Sequence, residues 1–166
     1  MVLGIREYSC ELDNEEVDTL INFIDNIEYQ DNPIVAKTED NFLDYQNPVI
    51  EKLRLSYYDS CSRYWDMNVF DYKISSWIYV DWKSNSKEPY MHAHNLENPY
   101  TLSGIMYLRL PGSSGTAEFP MPNYDPYHLP KKLFTWFIFP SNLPHMAGKG
   151  TEDEKRYSLS ADLYYE

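Results

Sequence analysis

Cysteine is nearly absent: the chain has two, Cys10 and Cys61, with neither a C-x-x-C spacing nor the density of a disulfide framework. Both are expected to be reduced, buried or idle thiols. Cations are scarce too, 14 Lys and Arg against 26 Asp and Glu, giving a formal net charge of −12. That deficit argues against unspecific attraction to a phosphate backbone, which depends on clustered Lys and Arg to release counterions, and leaves a local basic groove open. No segment approaches the ~18 consecutive apolar residues of a membrane span. The N-terminal residues lack the basic and apolar regions of a signal peptide. The expectation is a soluble, cytoplasmic protein without internal repeats or low-complexity tracts.

Tyrosine, in contrast, is abundant, with 16 copies among 166 residues. Together with Trp and Phe it favours strands, so a β-rich fold is expected. The length suffices for one domain to bury its own core. Residues 1–166 are therefore read as a single domain, a helical scaffold over 1–70 packed on a β core over 71–166.

Residues 1–11, with Ile5, Tyr8 and Cys10, suit an edge strand. Asp13 followed by Glu16 is a helix-start signal, and Val17, Leu20, Ile21, Ile24 and Ile27 then recur at helical spacing. Residues 30–47 are rich in Asp, Asn and Gln and read mostly as loop. Pro48 suits a first helical position, and Val49, Ile50, Leu53, Tyr57 and Cys61 form the buried stripe of a second helix ending near Tyr64. From Asp71 the pattern changes to short alternating strands, expected near 72–82, 89–94, 103–110, 116–119, 133–139 and 156–165. Lys83–Lys87 and Pro111–Gly115 are turns, and Pro120–Pro130 is a Pro- and Tyr-rich rim or lid loop.

Three of the four histidines fall where strands begin or end. His92 and His94 are two residues apart, so on a strand both imidazoles face one side and Ala93 the other. His145 leaves a distant strand and can join them, and three neutral imidazoles occupy one face of a transition metal. His128, in the proline-rich loop, is the weakest candidate. On the returning strand Arg156, Ser158 and Ser160 share one face, with Tyr157, Leu159 and Ala161 on the other. A guanidinium fork beside a hydroxyl suits a small carboxylate. Aromatic residues for a dry pocket are at hand in Trp77, Tyr79 and Trp136. A lone His-x-His is a weak signal and more often marks surface or packing histidines; the order of the elements strengthens it.

The run Trp77 to Trp82, His92-x-His94, Leu102-Ser103-Gly104-Ile105-Met106-Tyr107-Leu108, Gly115 to Phe119, Phe139-Pro140-Ser141, His145 and Arg156-x-Ser158 resembles iron(II)/2-oxoglutarate-dependent oxygenases. Within them it looks closest to the small prolyl-hydroxylase-like proteins of bacteria and bacteriophages, so a virus-encoded origin is among the implications. The resemblance covers about the C-terminal half. It implies a mainly β, cupin-like jelly roll, the double-stranded β-helix, flanked by N-terminal helices. It also implies Fe(II), 2-oxoglutarate as cosubstrate and dioxygen, with hydroxylation of a small-molecule or peptide substrate and release of succinate and CO2. Carried over by residue, His92 and His145 match the metal histidines, and Arg156 with Ser158 the pair holding the far carboxylate of 2-oxoglutarate. Tyr107 matches a strand residue that helps hold it.

The chain departs from the family at one ligand. The superfamily usually has a carboxylate two residues after the first histidine, where this chain has His94. Three arrangements follow: His94 is the third ligand, water replaces it, or Asn95 or Glu97 approaches instead. His94 is preferred because it shares the face of His92. Two rival classes are a three-histidine metal cupin that does not use 2-oxoglutarate and a non-catalytic jelly-roll module.

Overall fold

The computed structural model describes residues 3–27, 41–84, 88–94 and 101–165. Two helices precede most of the strands. Asp13 caps α1 (Asn14–Asn26) reciprocally: its Oδ1 accepts from Glu16 N at 2.8 Å, and Glu16 Oε2 accepts from Asp13 N at 3.0 Å. Two otherwise orphaned backbone donors are thereby satisfied. Asn47 Oδ1 caps α2 (Pro48–Trp65) by accepting from Val49 N and Ile50 N, and Asp66 ends it in the left-handed conformation. The stripe read from the sequence, Val49, Ile50, Leu53, Tyr57 and Cys61, is buried throughout, and both cysteines are free and buried. No helix among the described residues is long and apolar enough to cross a membrane.

The described residues form seven strands, the first ahead of α1 and the others after α2: β1 (Arg6–Ser9), β2 (Lys73–Asp81), β3 (Leu102–Arg109), β4 (Glu118–Phe119), β5 (Tyr127–His128), β6 (Thr135–Pro140) and β7 (Arg156–Tyr164). Five form an antiparallel sheet in the order β1-β6-β3-β7-β2, with β1 at its edge as expected. Opposite its inner face, β4 and β5 pair with each other. Glu118 also exchanges backbone bonds with Met146, and His92 with His145.

Alternation along the strands separates two packed layers. Ile74, Ile78 and Val80 of β2, Leu102, Met106 and Leu108 of β3, Trp136 and Ile138 of β6, and Tyr157, Leu159, Ala161 and Leu163 of β7 join the helices in one core. Ile105, Tyr107, Phe137 and Phe139 point the other way and close on Ala117, Phe119 and Leu129 in a second, smaller core. This second layer is the barrel interior. Tyr57 fastens α2 to the outer layer, its hydroxyl donating to Ala161 O at 2.9 Å and reaching Leu102 O at 3.3 Å.

Several sequence expectations change. Residues 89–94 do not form a strand; His92 makes only an isolated bridge with His145, because the next backbone bond, His94 N to Ser141 O, is out of register with that pair. Residues 30–40 of the expected 30–47 loop lie outside the described residues; within the rest, Phe42–Asp44 forms a 3-10 turn that buries Phe42 and Leu43. The 120–130 loop carries β5. Trp136 does not line a pocket: it lies on the outer face, 4.8 Å from the Tyr57 ring, and its Nε1 donates to Ser56 Oγ at 2.9 Å. Of the turns, 111–115 is closed by Ser114 N donating to Pro111 O at 3.0 Å. Residues 85–87 of the other turn lie outside the described residues.

Gly104 lets α2 approach this closely, since a Cβ there would meet Tyr57 Cε2 at 2.6 Å and Ile138 Cδ1 at 3.0 Å. Overpacking of this kind costs about 1–3 kcal/mol. Gly104→Ala is expected to lose that much in urea denaturation, and an unchanged midpoint would contradict the packing described.

Candidate metal centre

The three candidate histidines meet. His92 N donates to His145 O at 2.9 Å and His145 N to His92 O at 2.9 Å, which puts both rings on the same side of the bridge with centroids 4.5 Å apart. His94 N donates to Ser141 O at 2.8 Å; its ring lies 5.1 Å from those of His92 and His145. One ligand atom from each of the three lies within 4.8 Å of the others.

Every Nδ1 in the cluster already has an acceptor beside it. His92 Nδ1 lies 3.1 Å from Tyr90 O, His145 Nδ1 2.9 Å from Leu143 O, and His94 Nδ1 2.9 Å from each Asp162 oxygen. Carbonyl and carboxylate oxygens accept, so neutral imidazoles hold their proton on Nδ1 and keep the Nε2 lone pair for a ligand. His145 is 3% exposed, with Phe119 stacked at 5.6 Å and Phe139 edge-on at 5.1 Å. Burial, reinforced by the neighbouring His92 and His94, pushes its pKa down to about 4, against the opposing pull of the Leu143 carbonyl. A neutral, preoriented imidazole is the ligand form. The residues present therefore fit a transition metal held by three nitrogens.

The inner face of β7 carries Arg156, Ser158, Ser160 and Asp162 in a row, about 20 Å from first to last by strand rise. Asp162 stands at the histidine end and also accepts from Ser103 Oγ at 2.5 Å, which in turn lies 3.0 Å from Ser141 Oγ. Ser158 is flanked by Tyr79 and Tyr107, Ser160 by Trp77 and Ile105. Trp77 also reaches the site, 5.7 Å from the His94 ring. Arg156 holds the other end, 4% exposed. Its Nε donates to Gly115 O at 3.0 Å and its Nη1 to Asp81 Oδ1 at 3.1 Å, with the Tyr107 ring 5.4 Å away. Asp81 Oδ2 accepts from Gly150 N at 2.8 Å, and the Tyr107 hydroxyl accepts from Ala117 N at 2.7 Å. Burial raises the Tyr107 phenol above its ordinary value, so it stays neutral.

The structure thus gathers His92, His94 and His145 at one end and Arg156, Ser158 and Tyr107 deeper in the same interior. His128 is apart, its side chain mostly exposed and 3.9 Å from Glu118. Asn95 and Glu97, the alternative ligands, lie outside the described residues. Sequence reasoning missed Asp162, Ser103 and Asp81. Asp162 was within reach of the alternation that joined Arg156 to Ser160, one step further along. Asp81 shows itself only through its cross-strand pairing with Arg156.

Two outcomes follow. An unfolded imidazole titrates near 6.5, whereas His145 in the folded chain stays neutral to about 4, so as pH falls the unfolded state takes the proton first. Stability of the metal-free protein is expected to be intact above about pH 6.5 and to decline as pH drops toward 4; denaturation midpoints across that window, compared with His145→Gln, measure it. Asp81→Ala leaves a buried guanidinium uncompensated and is expected to cost about 3–5 kcal/mol, read in the same assay.

No protein-family model matches the chain, and no curated protein matches it in sequence. Solved structures do match in shape. A Pseudomonas putida prolyl-4-hydroxylase aligns at TM-score 0.65 and 13% identity, covering 99% of this chain and 94% of that one. A 2OG-Fe(II) oxygenase family oxidoreductase from Burkholderia pseudomallei aligns at TM-score 0.70 and 15% identity, over 97% and 84%. The alpha ketoglutarate dependent carbocyclase SnoK of nogalamycin biosynthesis aligns at TM-score 0.73 and 14% identity, over 98% and 79%. At these identities what is shared is the fold: the chain is a mainly β protein with the double-stranded β-helix of the 2OG-Fe(II) oxygenases.

Proposed function

We propose that the chain is an Fe(II)- and 2-oxoglutarate-dependent dioxygenase that hydroxylates a small-molecule or peptide substrate. The observation that carries this reading is the cluster of three imidazoles, each with Nδ1 held by an acceptor, opening onto an interior row that ends in a buried arginine. His92, His94 and His145 hold the ion through Nε2. When bound, Fe(II) with 2-oxoglutarate and dioxygen supplies oxidative decarboxylation to succinate and CO2 coupled to oxidation of a C–H bond.

The chain's own residues bind, orient and exclude water. Gly115 O and the Asp81 carboxylate use two of the five guanidinium donors and fix the plane of Arg156. The other donors, with the Ser158 hydroxyl and Tyr107, hold the far carboxylate of the keto acid and set its depth. Trp77 and Tyr79 line the cavity, while Phe119 and Phe139 keep water from His145. Tyr90, 76% exposed with its ring 5.3 Å from His92, stands at the rim where a substrate arrives.

One observation favours a second reading, a three-histidine metal cupin without a keto acid: Asp81 already neutralises Arg156. Anaerobic titration with Fe(II) and then 2-oxoglutarate, followed by succinate assay in air, separates the two. The dioxygenase gives a weak visible band on keto-acid addition and then succinate. The cupin binds metal with no response to 2-oxoglutarate, and a non-catalytic module binds no stoichiometric metal. For the dioxygenase, His145→Ala is expected to abolish succinate release, and Arg156→Ala to raise the 2-oxoglutarate requirement at least tenfold through loss of a charge-assisted pair. Unchanged turnover in both variants would defeat the assignment.

A further inference from the structure

The family's usual ligand carboxylate is replaced here by His94, yet a carboxylate stands directly behind that ring. Asp162 faces His94 Nδ1 with both oxygens at 2.9 Å, an arrangement that holds the imidazole from behind. The carboxylate is itself built in: Asp162 is buried on the inner face of β7, opposite Ser103 of β3. Ser103 Oγ donates to Oδ1 at 2.5 Å, and Ser141 Oγ lies next in the chain of contacts at 3.0 Å. Ser141 also supplies the carbonyl that accepts from His94 N. The same two serines therefore anchor the carboxylate and the backbone of the residue it orients. The carbonyls behind His92 and His145 are neutral, so Asp162 is the one carboxylate among the three Nδ1 partners.

Resting on the metal site of the proposed function, we propose that Asp162 is the anion of this centre, delivered through the His94 imidazole instead of directly to the ion. It is a positioning residue. It fixes His94 with the proton on Nδ1, turns Nε2 toward the other two histidines, and increases the electron-donating power of that nitrogen. A site with three neutral ligands thereby recovers the negative charge that a ligand carboxylate supplies elsewhere.

The test is Fe(II) binding to the full chain, titrated anaerobically and without 2-oxoglutarate, so that it reads the metal alone. Asp162→Asn keeps an acceptor for His94 and loses the charge; it is expected to weaken Fe(II) binding by about 10–100-fold. In a His94→Ala background the same substitution is expected to add no further loss, because Asp162 acts through that ring. His94→Asp sets two carboxylates face to face, and adding Asp162→Asn to it is expected to improve Fe(II) affinity over His94→Asp alone. This charge swap keeps the test decisive if Asp162→Asn alone fails to fold. Affinity within twofold of wild type for Asp162→Asn, equal losses with and without His94, or a double variant no better than His94→Asp would each overturn the inference while leaving the metal site standing. A wild-type chain that binds no Fe(II) would remove both.

Discussion

The structure depends on one reciprocal pair of backbone hydrogen bonds, His92 N to His145 O and His145 N to His92 O, both 2.9 Å. The two residues are far apart in sequence and lie in segments that otherwise barely pair. An antiparallel pair that exchanges both bonds places the two Cα atoms about 5.5 Å apart with side chains on the same side. Ring convergence is therefore a backbone property, fixed before any ligand arrives. The side-chain contacts then refine it: Leu143 and Tyr90 carbonyls set the tautomers, and Phe119 and Phe139 keep the distal ring dry.

The barrel wall has two different tasks on its two faces. Outward, Leu159, Ala161 and Leu163 bury against helices held close by Gly104 and Tyr57. Inward, the alternate residues Arg156, Ser158, Ser160 and Asp162 form a polar row inside an otherwise apolar layer. Such a row is costly to bury unless each group finds a partner. Both charged ends have one, Asp81 for the guanidinium and Ser103 with His94 for the carboxylate. The strand is thus stable with a polar interior because its charged groups are satisfied across strands that the helices hold in register.

Much of this was legible in the sequence because it is local. The reciprocal cap at Asp13 and Glu16, the proline opening α2, and the apolar stripe of that helix are encoded within a few residues each. Alternation assigned the β7 faces, since any extended segment must obey it. What sequence could not supply was long-range partnership. Asp81 reads as one more acid beside a strand end until register places it opposite Arg156. Trp136 sits on a strand whose two faces are both apolar, so its composition could not say which face was the pocket. The segment at 89–94 alternates like a strand, but its two backbone contacts, His92 with His145 and His94 with Ser141, do not share one register, and its backbone stays irregular around a well-placed ring.

Gly148 packs so tightly on Gly115 that a Cβ would meet the Gly115 carbonyl oxygen at 2.2 Å, and that same oxygen receives the Arg156 Nε hydrogen. Two loops are thereby clamped around a guanidinium that Asp81 has already brought to electrical balance. On the proposed reading, an anion docking there would lose little conformational freedom against so rigid a receptor, but the Coulomb attraction it met would be blunted. Recognition at that depth would then favour shape and hydrogen-bond direction over gross charge, a discriminating seat and a weak electrostatic trap.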